Sequence, residues 1–150
     1  MTLPLSLYVH LPWCVRKCPY CDFNSHALKG PLDEAGYVGE LIKDLEAQAD
    51  SVAGRTIETV FFGGGTPSLF SAGAIERVLD AASGAIAFAT GVALTLAANP
   101  GPVEHDAVGS YRRAGITRLS LGVQSFDSRM LDGIGRIHSG DDAARALDDA

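Results

Sequence analysis

CVRKCPYCDF, residues 14–23, contains every cysteine of this 150-residue chain. The thiols of Cys14, Cys18 and Cys21 follow a C-x3-C-x2-C spacing. An odd number of cysteines within eight positions is a poor basis for a disulfide framework. Clustered thiols that stay reduced more often bind metal or carry out redox chemistry, as in cytoplasmic proteins. The segment therefore predicts a metal or redox centre in a protein of the cytoplasm.

Two kinds of metal centre fit this spacing. Zinc usually requires a fourth ligand, which His10 or His26 could supply. A cubane iron–sulfur cluster normally takes four cysteines, one for each iron, so that three cysteines leave one iron open to an exogenous ligand. The triplet alone is compatible with either centre, and also with a zinc knuckle or buried thiols of purely structural role.

An alternation of strands and helices surrounds the cysteine segment. Apolar, β-rich runs predict the strands, and apolar residues at helical spacing predict the helices. The predicted strands are 5–11, 56–68, 92–101 and 116–125, and the predicted helices are 33–52, 71–86, 103–115, 127–135 and 141–150. This alternation is typical of a parallel α/β sheet with about four βα units, either part of a TIM-like barrel or a doubly wound sheet.

Residues suited to helix ends support these boundaries. Asp33 and Glu34 fit the first turn of the first helix, and Ser71 and Asp127 are suitable N-caps. Gly115 is placed to end the helix that precedes the fourth strand.

Unusual loops follow each predicted strand. The cysteine segment follows the first, GGGTP (63–67) the second, NPG (99–101) the third and QS (124–125) ends the fourth. In parallel α/β folds, ligands bind at the edge formed by the carboxyl ends of the strands. The four loops are therefore expected to form one site.

Composition excludes several other classes. The formal net charge of −6 is unfavourable for a nucleic-acid surface, which needs clustered positive charge. The sequence contains no run of about 18 apolar residues, so no membrane span is predicted. The first residues, MTLPLSLYVHLPWC, lack the basic and long apolar regions of a signal peptide.

Four motifs, in order along the chain, resemble one known family. They are YVHLPWCVRKCPYCDF (8–23), FFGGGTPS (61–68), ANPG (98–101) and GVQSF (122–126). Together they are similar to the radical S-adenosylmethionine (SAM) enzymes, and within them to the coproporphyrinogen dehydrogenase-like branch. The resemblance implies a partial TIM-like barrel in which the three cysteines hold a [4Fe–4S] cluster. It also implies that SAM binds the open iron, and that an electron from the cluster splits SAM into methionine and a 5′-deoxyadenosyl radical.

The resemblance also assigns SAM-binding positions. They are Tyr8, Gly64, Gly65, Thr66, Gln124 and Arg136. The glycines would leave room and N–H donors for a ligand that approaches the backbone closely. For Tyr8 the alternative is a barrel-lining aromatic, and for Arg136 a solvated surface side chain.

Other side chains near these motifs are expected to play supporting roles. His10 and His138 are expected to pack on strands or hydrogen-bond within loops. Trp13, Tyr20 and Phe23 are expected to shield the cluster, since burial tunes a cluster's reduction potential.

The chain departs from the family pattern at two positions. The coproporphyrinogen dehydrogenases proper carry a fourth cysteine where this chain has Phe23. In lacking that cysteine, the chain resembles the HemW-type haem chaperones of the same branch. This favours a role in haem trafficking, with haem as a further ligand and haem-accepting respiratory proteins and an electron donor as partners. The alternative is an oxygen-independent coproporphyrinogen III oxidase, whose substrate would be the porphyrinogen. Ala97 occupies the position of an expected SAM-binding glutamate.

The number of βα units is smaller than the family barrel requires. That barrel has six units and a C-terminal region, whereas this chain supplies about four units in 1–150. We therefore expect the chain to be the N-terminal part of a radical SAM core, with its fourth strand as an unpaired edge.

Overall fold

The computed structural model describes residues 3–101 and 106–150. Strands and helices alternate along most of it. The strands are β1 (Leu5–Leu11), β2 (Trp13–Cys14), β3 (His26–Ala27), β4 (Ile57–Gly64), β5 (Phe88–Ala98) and β6 (Arg118–Leu121). The helices are α1 (Glu34–Ala49), α2 (Ala72–Ala85), α3 (Val108–Arg113), α4 (Ser128–Gly133) and α5 (Gly140–Asp148).

The four long strands form one sheet in the order β1-β4-β5-β6, and every neighbouring pair is parallel. This confirms the predicted parallel α/β class. Strand β1 has the predicted bounds, but β5 begins four residues before the predicted start. Strand β5 ends at Ala98, directly before the NPG segment that was predicted to end it, because Pro100 has no N–H to continue the ladder. Strand β6 is shorter than predicted, and the backbone turns away at Gln124, whose φ is +69°. Strand β4 ends at Gly64, and a 3-10 turn follows at Pro67–Leu69.

The predicted N-caps Ser71 and Asp127 are present, since each side chain accepts hydrogen bonds from backbone N–H groups of the helix that follows. Asp33, predicted for the first turn of α1, is its N-cap, and only Glu34 lies in that turn. Gly115 lies just after α3 with a φ of +107°, a conformation that glycine adopts without strain. Helix α1 is shorter than the predicted 33–52, because its last turn tightens into a 3-10 turn at Asp50–Val52.

Helices α4 and α5 lie within two residues of their predicted bounds, whereas α3 is shorter at both ends than the predicted 103–115. Helix α5 begins at Gly140, one residue before the predicted start, because Ser139 and Asp142 form a capping box. Helix α3 begins at Val108, and residues 103–105 of the predicted helix lie outside the described residues.

The core lies between the sheet and helices α1 and α2. Phe62 of β4 and Leu96 of β5 are completely buried, and Phe70 packs beside them. The hydroxyl of the buried Tyr111 of α3 lies 2.8 Å from the carbonyl oxygens of both Ser68 and Phe70, which share its single proton. These contacts attach α3 to the turn that follows β4, and so they join the core to the loops at the carboxyl edge of the sheet.

A two-residue bridge, β2 with β3, was not predicted. It pairs Trp13 with His26 and Cys14 with Ala27 in parallel. Patterns of two residues carry no periodicity that a sequence can show. The bridge closes the cysteine segment into a loop whose two ends are joined.

The edge strands of the described sheet are β1 and β6. Strand β6 is the fourth predicted strand, which was expected to lie at an edge. No helix within residues 3–101 and 106–150 is both long and apolar enough to span a bilayer.

Candidate metal and cofactor site

The cysteine loop is stabilised from inside as well as at its ends. The ammonium group of Lys17 donates hydrogen bonds to the carbonyls of Phe23, at 2.9 Å, and Ser25, at 3.1 Å. The backbone N–H of Cys21 donates to the carbonyl of Cys18 at 3.0 Å. All three cysteines are free thiols of intermediate burial. The loop therefore presents three thiols from a backbone that the protein itself holds in shape.

A cavity of about 590 Å³ opens at the carboxyl edge of the sheet. All nine site residues expected from the sequence line it. They are the thiols of Cys14, Cys18 and Cys21 together with Tyr8, Gly64, Gly65, Thr66, Gln124 and Arg136. Both departures from the family pattern, Phe23 and Ala97, line it as well. The structure thus brings together residues that are up to 128 positions apart.

In the glycine segment, GGGTP (63–67), the backbone N–H groups of Gly65 and Thr66 bind the protein itself. The N–H of Gly65 donates to the carbonyl of Leu11 at 2.8 Å, and that of Thr66 donates to the carbonyl of Trp13 at 2.7 Å. A Cβ at Gly65 would overlap the Trp13 carbonyl and lie 2.8 Å from that of Pro12. The expectation of a free N–H donor at Gly65 was wrong, because this N–H, like that of Thr66, binds a carbonyl at the start of the cysteine loop.

One guanidinium links the separate loops. Nη1 of Arg136 donates to the Sγ of Cys18 at 3.3 Å and to the hydroxyl of Tyr20 at 3.4 Å. Nη2 donates to Oδ1 of Asn99 at 2.8 Å and to the carbonyl of Gly122. The Nε–H is buried and has no hydrogen-bond partner among the described residues. Arg136 is therefore a fixed cation with one donor still unused, and not a solvated surface side chain.

Tyr8 also lines the cavity. Its ring stacks on Phe61 with centroids 6.3 Å apart, and burial raises the pKa of its phenol, so the hydroxyl stays protonated. That hydroxyl lies 3.0 Å from Nδ1 of His10, whose Nε2 lies 2.9 Å from the carbonyl of Asn24. A carbonyl only accepts, so Nε2 donates to it and Nδ1 accepts from Tyr8.

Both ring nitrogens of His10 are thus engaged within the protein, which confirms its expected hydrogen-bonding role. His26, the other histidine considered as a zinc ligand, is exposed on β3. Within residues 3–101 and 106–150, no group of three or more His, Cys, Asp or Glu side chains is arranged to hold a single metal ion. A cubane does not require such convergence, because each thiolate binds a different iron.

His138 also has the expected loop role. It is 3% exposed, its Nε2 lies 3.0 Å from the carbonyl of Val123, and burial lowers the pKa of the imidazole. The neutral ring donates from Nε2, and Nδ1 has no hydrogen-bond partner in the part of the chain that the structure describes. The histidine holds the loop that carries Gln124.

The three aromatic residues expected to shield the cluster divide into two groups. Tyr20 and Phe23 line the cavity and are largely exposed in it. Trp13 is not among the residues that line the cavity. It packs edge-on against Tyr37 at 4.5 Å and contacts Phe70, and so belongs to the core.

Sequence reasoning overlooked three residues of this site, Lys17, Asn99 and Gly122. Asn99 was quoted within ANPG, but asparagine before proline at the end of a strand is typical of a turn, which hid its contact with Arg136. Gly122 was quoted within GVQSF, but a single glycine in a sequence does not show which side chain will approach it. Lys17 is one of many charged residues, and only the folded loop shows that it bonds inward.

Comparisons with known proteins agree with this geometry. The model of the radical SAM superfamily matches residues 8–150. In a comparison of structures, coproporphyrinogen III oxidase (HemN) from Escherichia coli, described as a radical SAM enzyme, aligns with a TM-score of 0.87 and 28% identity, over 98% of this chain and 34% of that one.

Curated relatives are more similar in sequence. The haem chaperone HemW of Escherichia coli K12 is 50% identical over 143 residues, which are 95% of this chain and 38% of that protein. HemW of Haemophilus influenzae is 48% identical over 96% of this chain and 39% of its own length. The mitochondrial radical S-adenosyl methionine domain-containing protein 1 of Bos taurus is 39% identical over 97% of this chain and 33% of its own length. The chain thus spans less than two fifths of these relatives, and it belongs to the radical SAM superfamily.

Proposed function

We propose that this chain holds a [4Fe–4S] cluster on Cys14, Cys18 and Cys21, binds SAM in the adjoining cavity and acts in haem trafficking. One observation carries the proposal. Three free thiols on an internally braced loop line one cavity together with Arg136, whose guanidinium lies 3.3 Å from the sulfur of Cys18.

The donor set fits an iron–sulfur cluster. Thiolates are the usual ligands of such clusters, and three of them leave one iron for the cofactor. When bound, the cluster supplies the electron that cleaves SAM. The chain's own contribution is to hold the thiols and to limit access of water, since Tyr20 and Phe23 stand at the cavity beside the cysteine loop.

The residues that line the cavity also suit both charged ends of SAM's methionyl part. The guanidinium of Arg136 suits the carboxylate, because an arginine and a carboxylate form strong charge-assisted hydrogen bonds. We propose that Gly64, Gly65 and Thr66, which line the same cavity, lie beside the ammonium group.

Ala97 weakens this arrangement without removing it. The residue lines the cavity but has no acceptor in its side chain. Loss of a charge-assisted hydrogen bond costs about 1.5–3 kcal/mol, which corresponds to roughly a ten- to hundredfold loss of affinity. We therefore expect Ala97→Glu to tighten SAM binding by about that factor.

Haem is proposed as the further ligand on two grounds. Tyr8, Tyr20, Phe23 and Phe61 line the cavity and are 39–66% exposed, which is unusual for large aromatic side chains. Such rings can stack on a flat macrocycle. Phe23 also stands where the dehydrogenases carry a further cysteine, and several curated relatives are named haem chaperones.

The second candidate function is the oxidation of coproporphyrinogen III. It is favoured by the structural likeness to HemN, at a TM-score of 0.87. The same cavity and the same cluster would serve it, so the two functions differ in the fate of the tetrapyrrole.

The test begins with anaerobic reconstitution of the protein with iron and sulfide, followed by EPR of the reduced sample with and without SAM. We expect a [4Fe–4S] signal that shifts when SAM is added, and its loss in Cys14→Ala, Cys18→Ala and Cys21→Ala. Arg129→Ala, on the exposed side of α4, is the control and should keep the signal. Stoichiometric zinc without an iron–sulfur signal would refute the proposal.

Haem binding is then followed by absorbance titration, with coproporphyrinogen III turnover measured in parallel under anaerobic conditions. We expect haem to bind, and Phe23→Ala to weaken binding. Robust formation of protoporphyrinogen IX would reverse the order of the two candidate functions.

A further inference from the structure

We infer that Asn99 is a positioning residue which, with Gly122, holds the guanidinium of Arg136 against the sulfur of Cys18. The inference rests on the proposed function, because it assigns Asn99 the task of setting the cation that serves both the cluster ligand and SAM. Asn99 itself need not touch either group.

The contacts form one continuous chain across the cavity floor. Nδ2 of Asn99 donates to Oγ1 of Thr66 at 2.9 Å, while Oδ1 accepts from Nη2 of Arg136 at 2.8 Å. The other end of the guanidinium reaches the Sγ of Cys18 at 3.3 Å. Thr66 in turn donates its N–H to the carbonyl of Trp13, the residue before Cys14. The chain therefore begins and ends on the cysteine loop.

An amide suits the central position because it has two different ends. Its oxygen accepts from the guanidinium and its NH2 group donates to a hydroxyl. An aspartate would keep the acceptor for Arg136 but lose the donor to Thr66. A leucine of similar size would lose both, and the guanidinium would keep only the Gly122 carbonyl on that side.

Gly122 is required by the space that Asn99 occupies. A Cβ at Gly122 would lie 2.6 Å from Oδ1 of Asn99 and 3.5 Å from Nη2 of Arg136. The φ of Gly122 is not in the left-handed region, so the glycine is explained by this close approach and not by its backbone conformation. Gly122 also contributes the carbonyl that accepts from Nη2.

The consequence is electrostatic as well as geometric. A cationic donor at a ligand sulfur stabilises the more negative, reduced state of a cluster, because charge-assisted hydrogen bonds strengthen as the acceptor gains charge. The same contacts hold the guanidinium at the wall of the cavity in which SAM is proposed to bind. Loosening the guanidinium should therefore change both the reduction potential and the affinity for SAM.

The experiment compares Asn99→Leu and Asn99→Asp with the wild-type protein, after reconstitution of the cluster. We expect Asn99→Leu to shift the midpoint potential to a more negative value and to weaken SAM binding about tenfold, the loss expected for a misplaced charged donor. Asn99→Asp keeps the acceptor for Arg136 and should bind SAM within about threefold of the wild type.

A second pair of variants approaches the same contact from the glycine. Gly122→Ala should reproduce both effects of Asn99→Leu, whereas Gly84→Ala is the matched control. Gly84 lies exposed in α2 with no neighbouring atom within 4 Å of an added Cβ, so potential and affinity should not change.

The possible outcomes distinguish failure of the proposed function from failure of the positioning role of Asn99. A wild-type protein without a SAM-sensitive cluster signal would refute the proposed function itself. A wild-type protein with that signal, together with unchanged potential and SAM affinity in both Asn99→Leu and Gly122→Ala, would overturn the positioning role alone.

Discussion

The hydrophobic core, between the sheet and helices α1 and α2, and the loop edge, at the carboxyl ends of the strands, are held together in different ways. In the core, apolar side chains such as Phe62 and Leu96 are completely buried, and their positions follow the strand and helix periodicities. At the loop edge, polar contacts join residues far apart in sequence, as between Cys18 and Arg136, which are 118 positions apart. The comparison shows that stability is concentrated in the core and the proposed chemistry in the loops, so substitutions in the two regions should have separable effects.

The largest effect on stability is expected in the core. Phe62→Ala removes a fully buried aromatic side chain of β4 and leaves a cavity. We expect a loss of about 3–5 kcal/mol in the free energy of unfolding, measured by urea denaturation. A loss below about 1 kcal/mol would show that the core is not what stabilises the sheet.

The connection between core and loop edge should have the next largest effect. Tyr111→Phe removes the hydroxyl that donates to the carbonyls of Ser68 and Phe70. Because the two carbonyls lose the one donor that they share, we expect a loss of about 1–3 kcal/mol in the free energy of unfolding. A ring of the same shape remains, so an unchanged value would mean that the carbonyls find other donors.

A substitution at the loop edge should lower SAM affinity more than it lowers stability, unlike a substitution in the core. Arg136→Ala is expected to reduce the free energy of unfolding by about 1–2 kcal/mol, less than Phe62→Ala, because Asn99 and the Gly122 carbonyl lose a donor but no core cavity forms. SAM affinity should fall at least about tenfold, because a charged donor is lost. Arg129→Ala, whose side chain is 93% exposed, is the control for both measurements. Equal losses of stability in Arg136→Ala and Phe62→Ala would remove the distinction between the regions.

A small gain is expected on the outer surface of the core. Gly39 lies within α1, and no atom lies within 4 Å of an added Cβ. Gly39→Ala should raise the free energy of unfolding by about 0.5–1 kcal/mol through higher helix propensity. SAM affinity should be unaffected, and a change in it would contradict the separation of the two regions.

The smallest effect concerns pH and lies at the loop edge. Burial lowers the pKa of His138 in the folded protein, so the unfolded chain binds this proton more readily. Stability from the neutral imidazole is present above the unfolded pKa, about 6.5, and is lost as the pH falls from there through the lower folded pKa. Arg136 and Asp142 are the charged groups that act on the ring, and the Val123 carbonyl is its partner.

The matched variant is His138→Gln, which keeps an N–H donor but does not titrate. We expect its unfolding free energy to fall less steeply than that of the wild type between pH 6.5 and the lower folded pKa. Identical acid slopes in the two proteins would contradict the prediction.

Much of the fold was predictable because it depends on local patterns. The β1 bounds, the N-caps Ser71 and Asp127 and the turn at Gly115 all follow from propensities that act over a few residues. The two-residue β2–β3 bridge was missed because a pair of residues carries no period, and the early start of β5 at Phe88 depends on its pairing with Ile57.

The candidate site divides along the same line. The sequence by itself determined the set of thiols, the glycine segment and the strand-end loops, because spacing and residue type are local properties. Only the tertiary structure decided that the N–H groups of Gly65 and Thr66 bind the cysteine loop, and that Asn99 and Gly122 hold Arg136. The physical reason is that hydrogen bonds between loops depend on which strand ends the sheet order places side by side, and no pattern along a single segment records that order.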